Sequence, residues 1–198
     1  MSTKGNLVVG QSGGPTAVIN NSLVGVIHEA LAQEKIGGIY GMLHGIAGVL
    51  REEFVDLRAE SANVLETLRN TPASALGTVR YKVTDADYGR LLDVLMAYNV
   101  RYFLYIGGND SADTTYKMHL IAAQKGYELH AIGVPKTVDN DLAMTDHCPG
   151  YGSAARFVAA AIRNTGYDTI AMGDTGPCEV MVIMGRNAGW LSADADLA

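Results

Sequence analysis

Four short runs of β-branched and aromatic residues each break directly into a loop of glycine, or of proline, asparagine and aspartate. Residues 7–9 lead into Gly10-Gln11-Ser12-Gly13-Gly14-Pro15, and residues 101–106 into Gly107-Gly108-Asn109-Asp110. Residues 129–134 lead into Pro135-Lys136-Thr137-Val138-Asp139-Asn140-Asp141, and residues 179–184 into Gly185-Arg186-Asn187-Ala188-Gly189. Helix-length segments lie between them, at 18–32, 111–124 and 153–164. A further helix is predicted where Thr84 and Asp87 resemble a capping box and Tyr88, Leu91, Leu92, Leu95 and Tyr98 form one stripe. Strands alternating with helices predict an α/β fold, a three-layer α/β/α arrangement around a mostly parallel sheet. Loops at the carboxyl ends of such strands gather along one edge and build the site, so the four loops are expected to converge on one cleft. No internal repeat is visible, and a soft boundary falls near Asp141, where the pattern pauses until Gly150.

Composition narrows the class. The chain has 198 residues, 48% of them hydrophobic and 18% charged, enough apolar material for a sizeable core and too much for a disordered tail. Its 21 acidic side chains against 15 basic ones leave a formal charge of −6 with no basic run, which argues against nucleic acid or an anionic membrane as partner. Cys148 and Cys178 form neither a disulfide framework nor a metal-ligand spacing, as expected for a reducing, cytoplasmic compartment. The greasy stretch 36–50 is too short and too glycine-broken to span a bilayer. No apolar segment of secretory type follows Lys4.

The loops narrow the chemistry. A glycine pair ahead of a helix lets backbone N–H groups approach an anion, and Gly13-Gly14-Pro15 before the 18–32 segment has that form, with Pro15 suited to a first helical turn. The same loop spells Gly-x-Ser-x-Gly through Gly10, Ser12 and Gly14, the nucleophile elbow of α/β-hydrolases, with His147 the downstream histidine such a reading would need. No Gly-x-x-x-x-Gly-Lys-Ser/Thr occurs, and Gly-x-Gly-x-x-Gly follows none of the strands. Asp110, Asp139 and Asp141 stand at strand ends with Lys136 among them, Arg186 closes a fourth run, and Arg80 and Lys82 lie in a Gly/Thr-rich loop. Carboxylates among cations suit a metal-bound polyphosphate. Phosphoryl transfer asks the protein for cations on the equatorial oxygens and a carboxylate to take a proton from the attacking hydroxyl.

With these residues in view, the chain resembles the N-terminal portion of the 6-phosphofructokinase family, and within it the pyrophosphate-dependent branch. The resemblance rests on Ser12-Gly13-Gly14-Pro15-Thr16-Ala17-Val18-Ile19-Asn20, Gly38-Ile39-Tyr40-Gly41, Leu76-Gly77-Thr78-Val79-Arg80-Tyr81-Lys82 and Gly107-Gly108-Asn109-Asp110-Ser111. It continues in the same order through the Pro135–Asp141 loop, Pro149-Gly150-Tyr151-Gly152-Ser153-Ala154-Ala155 and Met184-Gly185-Arg186-Asn187-Ala188-Gly189-Trp190. It implies that Asp139 is the base for the sugar 1-hydroxyl, with Thr137 beside it and Asp141 in support. Thr137, Val138, Asp139, Met184, Gly185 and Arg186 would hold fructose 6-phosphate, and Arg186 would also meet the phosphoryl group. Gly14, Arg80, Lys82, Gly108, Asp110 and Lys136 would hold the diphosphate. ATP-using relatives carry glycine at the positions of Asp110 and Lys136, so a carboxylate at the first would repel the α-phosphate of ATP while Lys136 supplies a cation.

The resemblance also implies Mg²⁺, with Asn109 and Asp110 on the metal side. Asn109 departs from the Asp-Asp pair that many relatives show, and contributes an uncharged oxygen. It implies a donor-phosphate domain over 1–141, the start of a sugar-phosphate domain over 142–198, and a homo-oligomer when full length. Family subunits continue well past Trp190, so the chain reads as a fragment whose second domain is incomplete. An ATP-dependent enzyme, a serine hydrolase at Ser12 and a non-catalytic relative stand as alternatives. Tyr98, Tyr102, Phe103, Met96 and Met181 read as core, and His28, His44, His119 and His130 carry no partner pattern.

Overall fold

The central strand of the sheet is the first in the chain. In the computed structural model, which describes residues 3–14, 16 and 18–196, β1 (Gly5–Gln11) lies between β2 (Ile36–Met42) and β4 (Val100–Gly107) and is parallel to both. β5 (His130–Pro135) continues in parallel beyond β4, while β3 (Phe54–Asp56) closes the other edge in antiparallel fashion. The order is β3-β2-β1-β4-β5. The mostly parallel α/β sheet is therefore as expected. Pro15, Ala17, Leu197 and Ala198 lie outside the described residues.

A parallel strand buried on both faces reads as a continuous apolar run, and β1 shows why: its successive side chains enter two different cores. Leu7 and Val9 join Tyr102 and Ile106 of β4 under α1 (Ile19–Ala32) and α3 (Ala62–Arg69). Val8 joins Phe103 and Tyr105 under α2 (Ile46–Arg51), α4 (Asp87–Ala97) and α5 (Asn109–Gln124). These are the three layers. Right-handed crossovers explain which helix goes where: β1 to β2 moves one way along the sheet and β4 to β5 the other, so α1 and α5 fall on opposite faces. The connections that leave the carboxyl ends of β1 and β4 therefore run to opposite faces, the switch point at which open α/β sheets bind ligands.

The chain divides into two compact units, residues 1–136 and 137–198. The second contains α6 (Tyr151–Met172) and α7 (Trp190–Asp196), joined where the Tyr151 hydroxyl bonds the Asp194 carboxylate. No residue of α6 is fully buried, and Phe157, Tyr167 and Ile170 are 73%, 63% and 76% exposed. The strand expected at 179–184 does not form: Val180 and Val182 are exposed and no described residue pairs with the run. β-branched composition makes a strand only beside another strand, and the described residues of this unit supply none. No described helix is long and apolar enough to cross a membrane.

Candidate active site

In the first unit the candidate residues meet where β1, β4 and β5 end. The Ser12 amide donates to Ile106 O at 2.9 Å, extending the β1–β4 ladder by one residue before Gly13 turns the chain at φ +77°. Gly107 must lack a side chain: a Cβ there would stand 2.5 Å from Ser111 Cβ and 2.8 Å from Ser12 Oγ. The two loops are tied through these hydroxyls. Ser12 bonds Ser111, and it also bonds the Tyr105 hydroxyl, which accepts from the Ile46 amide at 3.2 Å. Burial pushes the Tyr105 phenol up, so it stays neutral. A Ser12 that is itself buried and engaged in this way is a poor nucleophile elbow, which presents its hydroxyl at the top of the sheet.

Lys136 reaches back across these ends. Its amide donates to Gly107 O at 3.0 Å, and its ammonium donates to Gly14 O at 2.8 Å, the residue being 6% exposed. A Cβ on Gly13 would lie 2.9 Å from that ammonium, so glycine here makes room for the cation. Gly108 caps α5, and Asn109 and Asp110 form its exposed first turn, where the helix dipole favours negative charge. Gly14, Gly108 and Lys136 are thus brought together. Arg80 and Lys82 are exposed; what is held against the glycine loop is their segment, through Thr78 Oγ1 donating to Gly13 O.

In the second unit, Thr137 Oγ1 donates to Asp141 Oδ1 at 3.0 Å and accepts from the Asp139 amide at 3.1 Å. Asn140, at φ +54°, accepts from the Cys148 amide at 2.8 Å and donates to Asp146 O at 3.2 Å, pinning the turn. The Thr137 amide donates to Pro149 O at 3.1 Å. Thr137 and Val138 are buried, while among the described residues Asp139 Oδ1 is enclosed without a hydrogen-bond partner. A buried acceptor left unpaired is costly, and such atoms occur where function demands them. Met184 and Arg186 are exposed and flank Gly185, whose φ of +117° and O···H–N bond from Ala188 at 3.3 Å make a turn.

Among the described residues no group of three or more His, Cys, Asp or Glu side chains could hold a metal by itself. Two residues escaped the sequence reading. Gln11 and Asn20 are buried polar side chains inside apolar elements, and both bond the segment that carries Arg80.

The family model described as Phosphofructokinase matches residues 6–198. A pyrophosphate–fructose 6-phosphate 1-phosphotransferase of Xanthomonas campestris pv. campestris is 52% identical over 202 residues, covering 99% of this chain and 48% of that protein. One from Methylococcus capsulatus is 44% identical over 200 residues, with 98% and 48% covered. The crystal structure of a pyrophosphate-dependent phosphofructokinase from Nitrosospira multiformis matches with a TM-score of 0.88 at 45% identity, over 97% of this chain and 49% of that one. The chain spans about half the length of the curated relatives it matches.

Proposed function

Because the chain belongs to the phosphofructokinase family, we propose that it serves transfer of a phosphoryl group from pyrophosphate to the 1-hydroxyl of fructose 6-phosphate, giving fructose 1,6-bisphosphate. The observation that carries the choice of donor is Lys136, whose buried ammonium lies on the Gly13-Gly14 loop. A cation fixed there offers charge to a diphosphate and needs no nucleotide. Asp110 at the head of α5 repels an additional phosphate, which disfavours ATP.

Residues 1–141 are assigned to the donor and 142–198 to the beginning of the sugar-phosphate part. Gly14, Gly108, Arg80 and Lys82 bind diphosphate oxygens together with Lys136. Asp139 accepts the proton of the sugar 1-hydroxyl; that oxygen forms the new P–O bond as the bridging P–O bond of pyrophosphate breaks and orthophosphate leaves. Thr137 and Asp141 hold the Asp139 turn, a role supported by the two hydrogen bonds at Thr137 Oγ1. Val138, Met184, Gly185 and Arg186 contact the sugar phosphate, with Arg186 facing the transferred group.

Asn109 and Asp110 offer the hard oxygens that Mg²⁺ prefers. That ion commonly takes only one or two protein ligands beside phosphate and water, so the pair fits it. When bound, Mg²⁺ neutralises diphosphate charge. The enzyme is assigned to the cytoplasm and to a homo-oligomer. The test is fructose 1,6-bisphosphate formation by the full-length gene product with Mg²⁺, comparing pyrophosphate and ATP. Turnover with pyrophosphate alone is expected; turnover with ATP would overturn the donor assignment, and silence with both would overturn the activity.

A further inference from the structure

Gln11 ends β1 with its side chain wholly buried and making four hydrogen bonds inside the first unit. Its Nε2 donates to Ile19 O at 3.1 Å and to Asn20 Oδ1 at 3.0 Å, both on the first turn of α1. Its Oε1 accepts from Ser74 Oγ at 2.8 Å and from the Leu76 amide at 2.9 Å. Asn20, 1% exposed, completes the pattern: Oδ1 accepts from the Ala75 amide at 3.0 Å and Nδ2 donates to Thr71 O at 2.9 Å. Two side-chain amides from the glycine loop's own flanks therefore hold the irregular segment from Thr71 to Leu76. Thr78 on Gly13 O, and the His44 amide on Leu76 O at 2.8 Å, extend the attachment up to the residues before Arg80.

A side-chain amide carries two N–H donors and an oxygen with two lone pairs, so one residue can tie several backbone groups, and buried amides of this kind are costly unless every bond is made. A strand end that needed only apolar packing would carry no such pair. We infer that Gln11 and Asn20 are positioning residues: they fix the segment bearing Arg80 and Lys82 against the glycine loop and thereby set affinity for the diphosphate. The inference deepens the proposed donor site and rests on that reading for its ligand, while the fixing of the segment is testable without it.

The experiment uses the 198-residue chain and three variants, Gln11→Met, Asn20→Leu and the milder Ser74→Ala, with Ser74→Thr restoring the hydroxyl. Amide hydrogen exchange reads the segment directly. Exchange over residues 71–82 is expected to accelerate at least about tenfold in Gln11→Met and Asn20→Leu relative to β4, and to a smaller degree in Ser74→Ala, with Ser74→Thr near wild type. Calorimetric titration with pyrophosphate and Mg²⁺ is expected to show affinity falling about tenfold in the first two variants and recovering in Ser74→Thr relative to Ser74→Ala. Unchanged exchange over 71–82 in all variants overturns the positioning role. Accelerated exchange with unchanged pyrophosphate affinity overturns its link to the donor. A wild-type chain that binds no pyrophosphate overturns the donor reading itself, and the exchange result then decides the positioning role alone.

Discussion

Replacing Gly107 by alanine probes the junction on which the donor loops depend. The added Cβ would stand 2.5 Å from Ser111 Cβ and nearer still to Ser111 Oγ, whereas ordinary contact begins at 3.4 Å. Ser111 Cβ is fixed by the backbone of the first turn of α5, so rotation cannot relieve the clash, and that turn must retreat by about 0.9 Å. Overpacking of this kind costs about 1–3 kcal/mol, and loss of the Ser12–Ser111 bond adds about 1 kcal/mol. Gly107→Ala should therefore lose about 2–4 kcal/mol of stability in urea denaturation followed by circular dichroism. A cycle with Ser111→Gly isolates the contact. Ser111→Gly alone should cost about 1.5 kcal/mol from helix propensity and the same lost bond. In the double variant both Ser111 atoms are gone, and the Ser12 hydroxyl, at 2.8 Å, can turn away. The double variant should then lose about 2–4 kcal/mol less than the sum of the single losses, because the clash is relieved and the lost bond is counted once. Additive losses, or a Gly107→Ala change below about 0.5 kcal/mol, would refute the close approach of β4 and α5.

Lys136→Met should reduce pyrophosphate affinity at least about tenfold by calorimetry while changing urea stability by little, because the desolvation of a buried cation offsets what its polar contacts, the bond to Gly14 O among them, contribute. Asp139→Asn in the full-length gene product should abolish transfer yet leave pyrophosphate binding intact, as read by product formation beside calorimetry. Hydrogen bonds from the Thr84 amide, then from the Thr84 and Tyr81 hydroxyls, hold the Asp87 carboxyl below the usual range. A depressed carboxyl contributes stability above its unfolded value of about 3.9, lost as pH falls through the lower folded value. An NMR titration of Asp87 should show that lowered midpoint, and Asp87→Asn should remove this part of the acid sensitivity.

What was legible in the sequence followed from burial. β1 and β4 face two cores at once, so their central residues, Leu7 to Val9 and Tyr102 to Ile106, are apolar without interruption, and the stripe from Tyr88 to Leu95 lies on one buried face of α4. β3 has three residues at an edge and α3 spans eight residues and buries only Leu65, so each was too short to stand out in the sequence. Residues 179–184 show the reverse error, strand composition without a partner strand. At the site, Gly14, Lys136 and Asp139 could be named because glycine and charge stand out at strand ends. Gln11 and Asn20 could not, because their meaning lies in bonds to Leu76 and Ala75 made across the fold.

The bond between Ser12 and Ser111 joins positions 99 residues apart, and every pairing between β1 and β4 spans a similar distance. A ribosome adding about 5–20 residues per second needs roughly 5–20 s to bring out that length. During this interval the strand destined for the middle of the sheet is itself an edge, paired at most with β2 and offering open amides and carbonyls to any neighbouring chain. The first loop made is among the last completed, so the speed of translation between β2 and β4 sets how long the newborn protein stays vulnerable to aggregation.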